Sequence, residues 1–306
     1  DRLYLVGGAD LAALTPRMDL SVATVQADGS LGPFSTVSGV TLTSPRIGCS
    51  LAVVGDFLYV MGGSDPNNNN VSLTSLERAP IAADGSLGAF QAYPTSSLAT
   101  GRYLASPAIV GSTLYVMGGF GSGVPVATVD EAQVDSSGSI SFFFRSGSTS
   151  LTSARSDFKI AVLGGFVWAF GGIDATVSVK TIDRAAIATD NTLGSFSVQR
   201  DGSNNQMFLS TERALPTAAV IGDDLYLVAG VNNNGSPPDP GLSNVDHATI
   251  AADGTVGAFA IPAGATLPEG VFFHFGAAVG NFVYVLGGGS HLSTTTPSEV
   301  KQALLP

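Results

Sequence analysis

An all-β fold built from repeated antiparallel sheets is predicted by three observations. A short apolar strand that runs into a glycine pair recurs six times: LYLVGG at 3–8, LYVMGG at 58–63, LYVMGG at 114–119, VWAFGG at 167–172, LYLVAG at 225–230 and VYVLGG at 283–288. The first pair positions (Gly7, Gly62, Gly118, Gly171, Ala229, Gly287) are 55, 56, 53, 58 and 58 residues apart. No stretch shows helical periodicity with caps, whereas Gly (38 of 306 residues), Ser, Thr and Asn are plentiful and lysines number only three. A strand-only repeat of this period is the mark of a propeller blade, so the chain reads as a six-bladed β-propeller of four-stranded antiparallel blades. The repeat fills the chain, and 1–306 is therefore one domain.

Each blade can be laid out in order. A first strand ends in an apolar-Gly turn: SLAVVG at 50–55, SPAIVG at 106–111, KIAVLG at 159–164, AAVIG at 218–222 and FGAAVG at 275–280. Glycine in the first place of a two-residue loop is the demand of a type II′ turn, so this hairpin is tight in every blade. The second strand then runs into the glycine pair. A third strand leads to a second turn at Asp28-Gly29, Asp84-Gly85, Ser137-Gly138, Asp190-Asn191 or Asp253-Gly254, whose residues tolerate positive φ. A short outer strand follows, with Phe34, Phe90, Phe143, Phe196 or Phe259. The tally is six second and six third strands but five first and five fourth strands. The N-terminal blade lacks its first strand and the C-terminal blade its fourth.

The glycine pair closing an aromatic-bearing second strand resembles the kelch repeat, and the resemblance covers essentially the whole chain. It implies the propeller architecture. Some kelch-like propellers are binding modules for acidic peptides, in which arginines at the channel mouth touch the ligand. Others are enzymes, among them copper-radical sugar oxidases and sialic acid mutarotases.

Composition excludes several classes. The net charge of −11 argues against nucleic acid and anionic membranes, which require basic surface. A mean hydropathy of +0.32 fits blades packed face to face, whose middle strands are buried on both sides. The apolar stretch 271–286 is interrupted at Gly280-Asn281 and reads as a hairpin rather than a membrane span. The single cysteine, Cys49, excludes internal disulfides. No signal-peptide pattern begins at Asp1, and a second strand so near the start implies a preceding segment. Few lysines and many Ser, Thr, Asn and Gly lean towards an exported or cell-surface bacterial protein, and a monomer is expected.

Alternating strand direction sorts the loops onto two faces. The first-to-second and third-to-fourth turns are short and nearly uniform. The second-to-third and fourth-to-first loops are long and different in every blade, and variable loops on a rigid scaffold are where recognition usually sits. One column stands out on that face. Arg46, Arg102, Arg155 and Arg213 each lie nine residues before a first-strand turn glycine, with Val271 as the fifth equivalent. They are four of the ten arginines and would form a partial ring at the channel mouth, suited to bidentate recognition of carboxylate or phosphate. A structural alternative stands beside this reading. Glu77, Asp130, Asp183 and Asp246 share one position at the start of the third strand, on the same face, and each could bind its blade's arginine.

Evidence for chemistry is thin. The histidines (His247, His274, His291) map to the variable face of the last two blades but lack metal-ligand spacing, so no metal or other cofactor is expected. A mutarotase would need an arginine clamp and a general acid, for which Glu269 or His274 are the candidates. No catalytic residue is assigned. The function expected is a non-catalytic binding propeller for a protein, peptide or carbohydrate, with anionic ligands on Arg46, Arg102, Arg155 and Arg213. The alternative is a sugar-processing enzyme at the same mouth, and its signature would be a pKa-perturbed acid clustered there.

Overall fold

A computed structural model describes residues 1–10, 15–235, 241–289 and 300–304, the last five as backbone alone. The chain divides into two compact units, Asp1–Gly147 and Ser148–Pro306. In the first unit, sheet one orders Arg2–Val6, Asp19–Thr24 and Ser35–Thr41. Sheet two orders Ser50–Val54, Phe57–Met61, Ser75–Pro80 and Gln91–Ser97, and sheet three orders Ser106–Val110, Thr113–Met117, Thr128–Gln133 and Phe144–Ser150. In the second unit, sheet four contains Lys159–Leu163, Phe166–Phe170, Ile182–Ala186 and the two-residue Ser197–Val198. Sheet five contains Thr217–Ile221, Asp224–Val228, Leu242–Thr249 and Thr266–Val271. A C-terminal sheet joins Phe275–Val279, Phe282–Leu286 and Val300–Leu304.

These sheets correct the expected blade count. Sheets two to five are complete four-stranded antiparallel blades, and sheet one is a blade without its innermost strand, which makes five. The C-terminal sheet has no fourth strand among the described residues, and its third strand is described only as backbone, so it is not counted as a full blade.

Second strands form the core because neighbours cover both of their faces. Every residue of Thr113–Met117 is buried, and Trp168 and Phe170 are fully enclosed. In the first unit, Tyr59, Met61, Leu76 and Leu98 of one sheet pack against Leu114, Val116, Ala132 and Phe143 of the next. In the second unit, Trp168, Phe170 and Ile182 meet Leu225, Leu227 and Ala248 in the same way. Such contacts stabilise by about 25 cal/mol per Å² of apolar surface removed from water.

The first-to-second turns place their leading glycine at φ between 55° and 59° in all five hairpins. Gly165 follows Gly164 with a second positive φ, 74°, so that hairpin has the type I′ sign pattern and the others fit type II′. At the same end the backbones of adjacent sheets touch. A Cβ on Gly138 would stand 2.8 Å from the Val54 carbonyl oxygen and 3.2 Å from Gly55 Cα. Tyr4 and Tyr59 each donate a hydroxyl hydrogen bond to a turn carbonyl of the next sheet, Gly85 and Gly138 respectively.

The second-to-third loops are more ordered than their Asn/Ser/Pro composition suggests. Four fold back as two-residue ribbons: Ala9–Asp10 with Thr15–Pro16, Ser64–Asp65 with Val71–Ser72, Phe120–Gly121 with Val124–Pro125, and Ile173–Asp174 with Val177–Ser178. Residues 236–240 and 290–299, in two further loops of this kind, lie outside the described residues.

Candidate functional site

The four arginines enter the structure as parts of one repeated joint. Each lies just ahead of a first strand and is at most 1% exposed. Each pairs with the acid of its own sheet: Arg46 with Glu77 at 2.7 Å, Arg102 with Asp130 at 2.7 Å, Arg155 with Asp183 at 2.8 Å, Arg213 with Asp246 at 3.1 Å. The second terminal nitrogen, Nη1, caps a carbonyl that the glycine pair has freed from the ladder. It donates to Gly62 O at 2.7 Å, Gly118 O at 3.0 Å, Gly171 O at 3.3 Å and Ala229 O at 2.9 Å in the respective sheets. Third-strand carbonyls are held too: Ser75 O by Arg46, Thr128 O by Arg102, Asn244 O by Arg213. The acids in turn accept from the turn ahead of the arginine. Glu77 takes Thr43 N–H and Ser44 Oγ, Asp130 takes Thr100 N–H, and Asp183 takes Thr152 Oγ1.

The glycine pair completes the joint across sheets. Gly63 N–H donates to the backbone carbonyl of Arg102 in the next sheet at 2.9 Å, Gly172 to that of Arg213 at 2.9 Å, and Gly230 to that of Val271 at 3.2 Å. The φ values near 60° and 100° at the two positions fit glycine, and a Cβ on Gly62 would stand 2.5 Å from the Arg102 carbonyl oxygen. Arginine, acid and glycine pair are thus one device. Burial pushes the Asp130 carboxyl up and the Arg102 guanidinium down, each against the pull of its partner. With a carboxylate bound in each of the four complete blades, the arginines present neither an open face nor net charge to solvent. Ligand contact through them would require the joint to open.

Two residues after each arginine position the backbone is left-handed: Gly48, Leu104, Asp157, Leu215 and Phe273 have φ of 64°, 55°, 60°, 53° and 53°. This column links sheets through backbone, with Leu104 N–H donating to Gly48 O and Leu215 N–H to Asp157 O, both at 2.7 Å. Nothing in the sequence marks it, because Leu and Phe rarely take this conformation. Asp157 is its one charged member. Its carboxyl is buried, one oxygen accepting from Ser156 Oγ at 2.6 Å and the other without a partner. Burial pushes its pKa up to about 6, opposed by the Ser156 hydrogen bond and the nearby Lys159. Lys159 begins the adjoining first strand with its side chain exposed to solvent.

The ribbons rise beside this column. The residue after each arginine bridges the residue after each glycine pair: Ile47 to Ser64, Tyr103 to Phe120, Ser156 to Ile173 and Ala214 to Val231. Each of three ribbons begins its return with an exposed valine at the same register, Val71 opposite Asp65, Val124 opposite Gly121 and Val177 opposite Asp174. In the second unit Asn234 clamps one loop to another, accepting from Ser178 N–H and donating to Ser178 O, both at 2.8 Å.

No family model matches the chain, and no curated protein matches it. Among solved structures, that titled "Structure of YjhT" superposes with a TM-score of 0.72 over 98% of this chain and 90% of that one, at 12% identity. The fold is a β-propeller. At that identity the likeness carries the propeller architecture and nothing about ligand or activity.

Of the histidines expected on the variable face, His247 departs from it and His274 stands at the loop end ahead of its first strand. His247 sits on a third strand opposite Tyr226, where its Nε2 meets Asp224 Oδ1 at 2.6 Å, towards the short-turn end. His274, just ahead of a first strand, meets Thr217 Oγ1 at 2.9 Å through Nε2. His291 lies outside the described residues. Glu269 is placed in the fourth strand Thr266–Val271. Among the described residues no three His, Cys, Asp or Glu side chains cluster as metal ligands. Burial pushes the Cys49 thiol up to about 11, which leaves it an unreactive thiol at neutral pH.

Proposed function

We propose that the chain is a non-catalytic binding propeller that takes a protein, peptide or carbohydrate ligand on the loops of its variable face, as a kelch-like repeat scaffold. The observation that carries this reading is the set of ribbons. Beneath them every complete blade repeats one buried arginine–acid joint, while above it the loops differ in length and sequence. Three of them hold an exposed valine on hydrogen-bonded backbone, which is an ordered apolar contact rather than a solvated tail. The proposal moves recognition from the arginine column to these tips, because Arg46, Arg102, Arg155 and Arg213 are already neutralised by carboxylates. The C-terminal sheet repeats the first- and second-strand register of the others, which supports reading it as a sixth, incomplete blade. A displayed random-peptide library and a glycan array probe the chain and the V71D/V124D/V177D variant. Binders selected on the wild type should be lost by the variant. Binders that ignore the substitutions but fail when the turn face around Asp84 and Asp135 is changed would overturn the assignment.

A second reading is favoured by Asp157 alone. A buried carboxyl that titrates near neutrality beside Lys159, at the loop end of a first strand, suits proton transfer to a sugar hydroxyl in a processing enzyme. Anomer interconversion followed by NMR, compared between the wild type and Asp157→Asn, decides it. A rate above the uncatalysed one that disappears in the variant supports catalysis, and equal rates reject it.

A further inference from the structure

The loop that follows the second strand of sheet five holds the ribbon of sheet four by one side chain. In that ribbon Ile173 stands opposite Ser178. The N–H and C=O of Ile173 are bonded to Ser156, so those of Ser178 point away from the ribbon. Asn234 takes both. Its Oδ1 accepts the Ser178 N–H and its Nδ2 donates to the Ser178 carbonyl, each at 2.8 Å. A carboxamide that exchanges two bonds with one residue reproduces a hydrogen-bonded pair of an antiparallel ladder. Ser178 Oγ also accepts the Asn233 N–H at 3.0 Å and donates to Val231 O at 3.3 Å, and Asn232 Oδ1 accepts the Asn234 N–H at 3.0 Å. The latch encloses its target. Ser178 is 2% exposed, whereas Pro16, Ser72 and Pro125 at the same place in the other ribbons are half-buried.

The next residue makes this latch chemically labile. Asn234-Gly235 is the one Asn-Gly step in the sequence, and both residues are exposed. An asparagine side chain can close on the following peptide nitrogen, and glycine lacks the Cβ that hinders the approach. The Gly235 amide nitrogen attacks Asn234 Cγ, the Cγ–Nδ2 bond breaks, and the amide proton leaves with the NH₂ group as ammonia. One water molecule then opens the five-membered imide at either carbonyl, leaving aspartate or a β-linked isoaspartate. The net change is water in and ammonia out. The Nδ2 donor has become a carboxylate oxygen, which has no proton to donate. At 2.8 Å from that donor the buried Ser178 carbonyl would face a negative acceptor, so the pair cannot persist.

We propose that Asn234 is a site of spontaneous modification, whose conversion to aspartate or isoaspartate releases the ribbon Ile173–Asp174 with Val177–Ser178 from the loop at 231–235. The intact latch restrains the reaction, because a carboxamide held by both of its polar atoms is not free to turn towards the Gly235 nitrogen. The carboxylate then prevents relatching, so a reversible opening becomes permanent with age. The inference concerns the two loops themselves and holds wherever a ligand docks.

The folded chain is incubated at mildly alkaline pH, and each asparagine is followed by peptide mapping that separates aspartate from isoaspartate. The peptide carrying Asn234-Gly235 should convert ahead of every other asparagine, and with Gly235→Ala it should fall back among them. Ser178→Ala, which removes only the hydroxyl contacts to Asn233 and Val231, should quicken the conversion while calorimetry finds the fold intact. Hydrogen exchange reads the release itself. In N234D and in the aged wild type the Ser178 N–H should exchange about tenfold faster, the equivalent of one lost hydrogen bond. Amides of the second strand Phe166–Phe170 should keep their rates. Conversion led by another asparagine, an unmoved rate in Ser178→Ala, or unchanged Ser178 exchange in N234D would each overturn the proposal.

Discussion

Arg102 and Asp130 offer the sharpest test of whether the arginine column is scaffold. Both side chains are fully buried, the ion pair is 2.7 Å long, and Arg102 Nη1 also caps Gly118 O and Thr128 O at 3.0 Å each. Arg102→Met strands the Asp130 carboxylate, at a cost of about 3–5 kcal/mol for one partner of a buried pair. It also orphans the Gly118 carbonyl, worth at least about 1 kcal/mol, whereas Thr128 O keeps the Gly118 N–H. The expected loss is about 5 kcal/mol, or roughly 10 °C in Tm at about 2 °C per kcal/mol for a chain of this size. Asp130→Asn leaves the guanidinium uncompensated but keeps an acceptor for Thr100 N–H, and should cost about 3 kcal/mol. The double change R102M/D130L removes both charges and leaves chiefly the Gly118 carbonyl and the Thr100 N–H without partners, so it should cost about 2–3 kcal/mol. That is far less than the sum of the single losses. Urea titration and calorimetry of the four proteins give the cycle. Additive losses, or an Arg102→Met protein within 1 kcal/mol of wild type, would refute the scaffold reasoning.

The same joint yields further expectations. Gly62→Ala should destabilise by more than about 3 kcal/mol, since its φ is +62° and a Cβ would stand 2.5 Å from the Arg102 carbonyl oxygen; calorimetry reads this directly. Ala229→Gly, at the equivalent position of sheet five with φ +59°, should raise stability by up to about 1 kcal/mol, because the Cβ there is the strained feature. The Asp157 carboxyl titrates near 6 folded against about 4 unfolded, so the folded state holds the extra proton between those values. Its contribution therefore falls as pH rises from about 4 to 6 and reaches a penalty of up to about 3 kcal/mol above that. Asp157→Leu, which copies Leu104 and Leu215, should flatten this part of the Tm–pH profile and stabilise the chain at pH 8. An unchanged slope in the variant would contradict the burial of that carboxyl.

Much of this architecture was legible because its causes are local. A five-residue apolar strand ending in Gly-Gly has one repeated meaning, so strand order and both turn classes could be read from residues such as Gly55, Asp84 and Gly85. The pairing of Arg46, Arg102, Arg155 and Arg213 with Glu77, Asp130, Asp183 and Asp246 was visible as matching columns. Spacing alone could not choose between pairing and a ligand, since burial decides that and is set by the neighbouring sheet. The Gly-Gly amide bonded to the next sheet's arginine carbonyl is likewise a contact between repeats with no signature inside either. The left-handed column escaped notice because Leu104, Leu215 and Phe273 are residue types that argue against it, and tertiary packing overrides their preference. Asp157 tolerates this conformation, and what its sequence context does not show is the burial of its carboxyl, which is set by tertiary packing. The ribbons at Ser64–Asp65 and Phe120–Gly121 are two residues long, too short for alternation to show. The sixth full blade was expected from second- and third-strand counts, which do not report whether a sheet is completed.

Chemical access to the guanidinium groups tests the central claim most directly. The folded chain is treated with phenylglyoxal at neutral pH, and each arginine's modification is followed by peptide mass spectrometry. Arg17 and Arg200, in exposed positions, should react within the time course, while Arg46, Arg102, Arg155 and Arg213 stay unmodified until the protein is unfolded. Modification of these four in the folded chain at the rate of Arg17 would mean that the joints stand open, and the column would return as a ligand site.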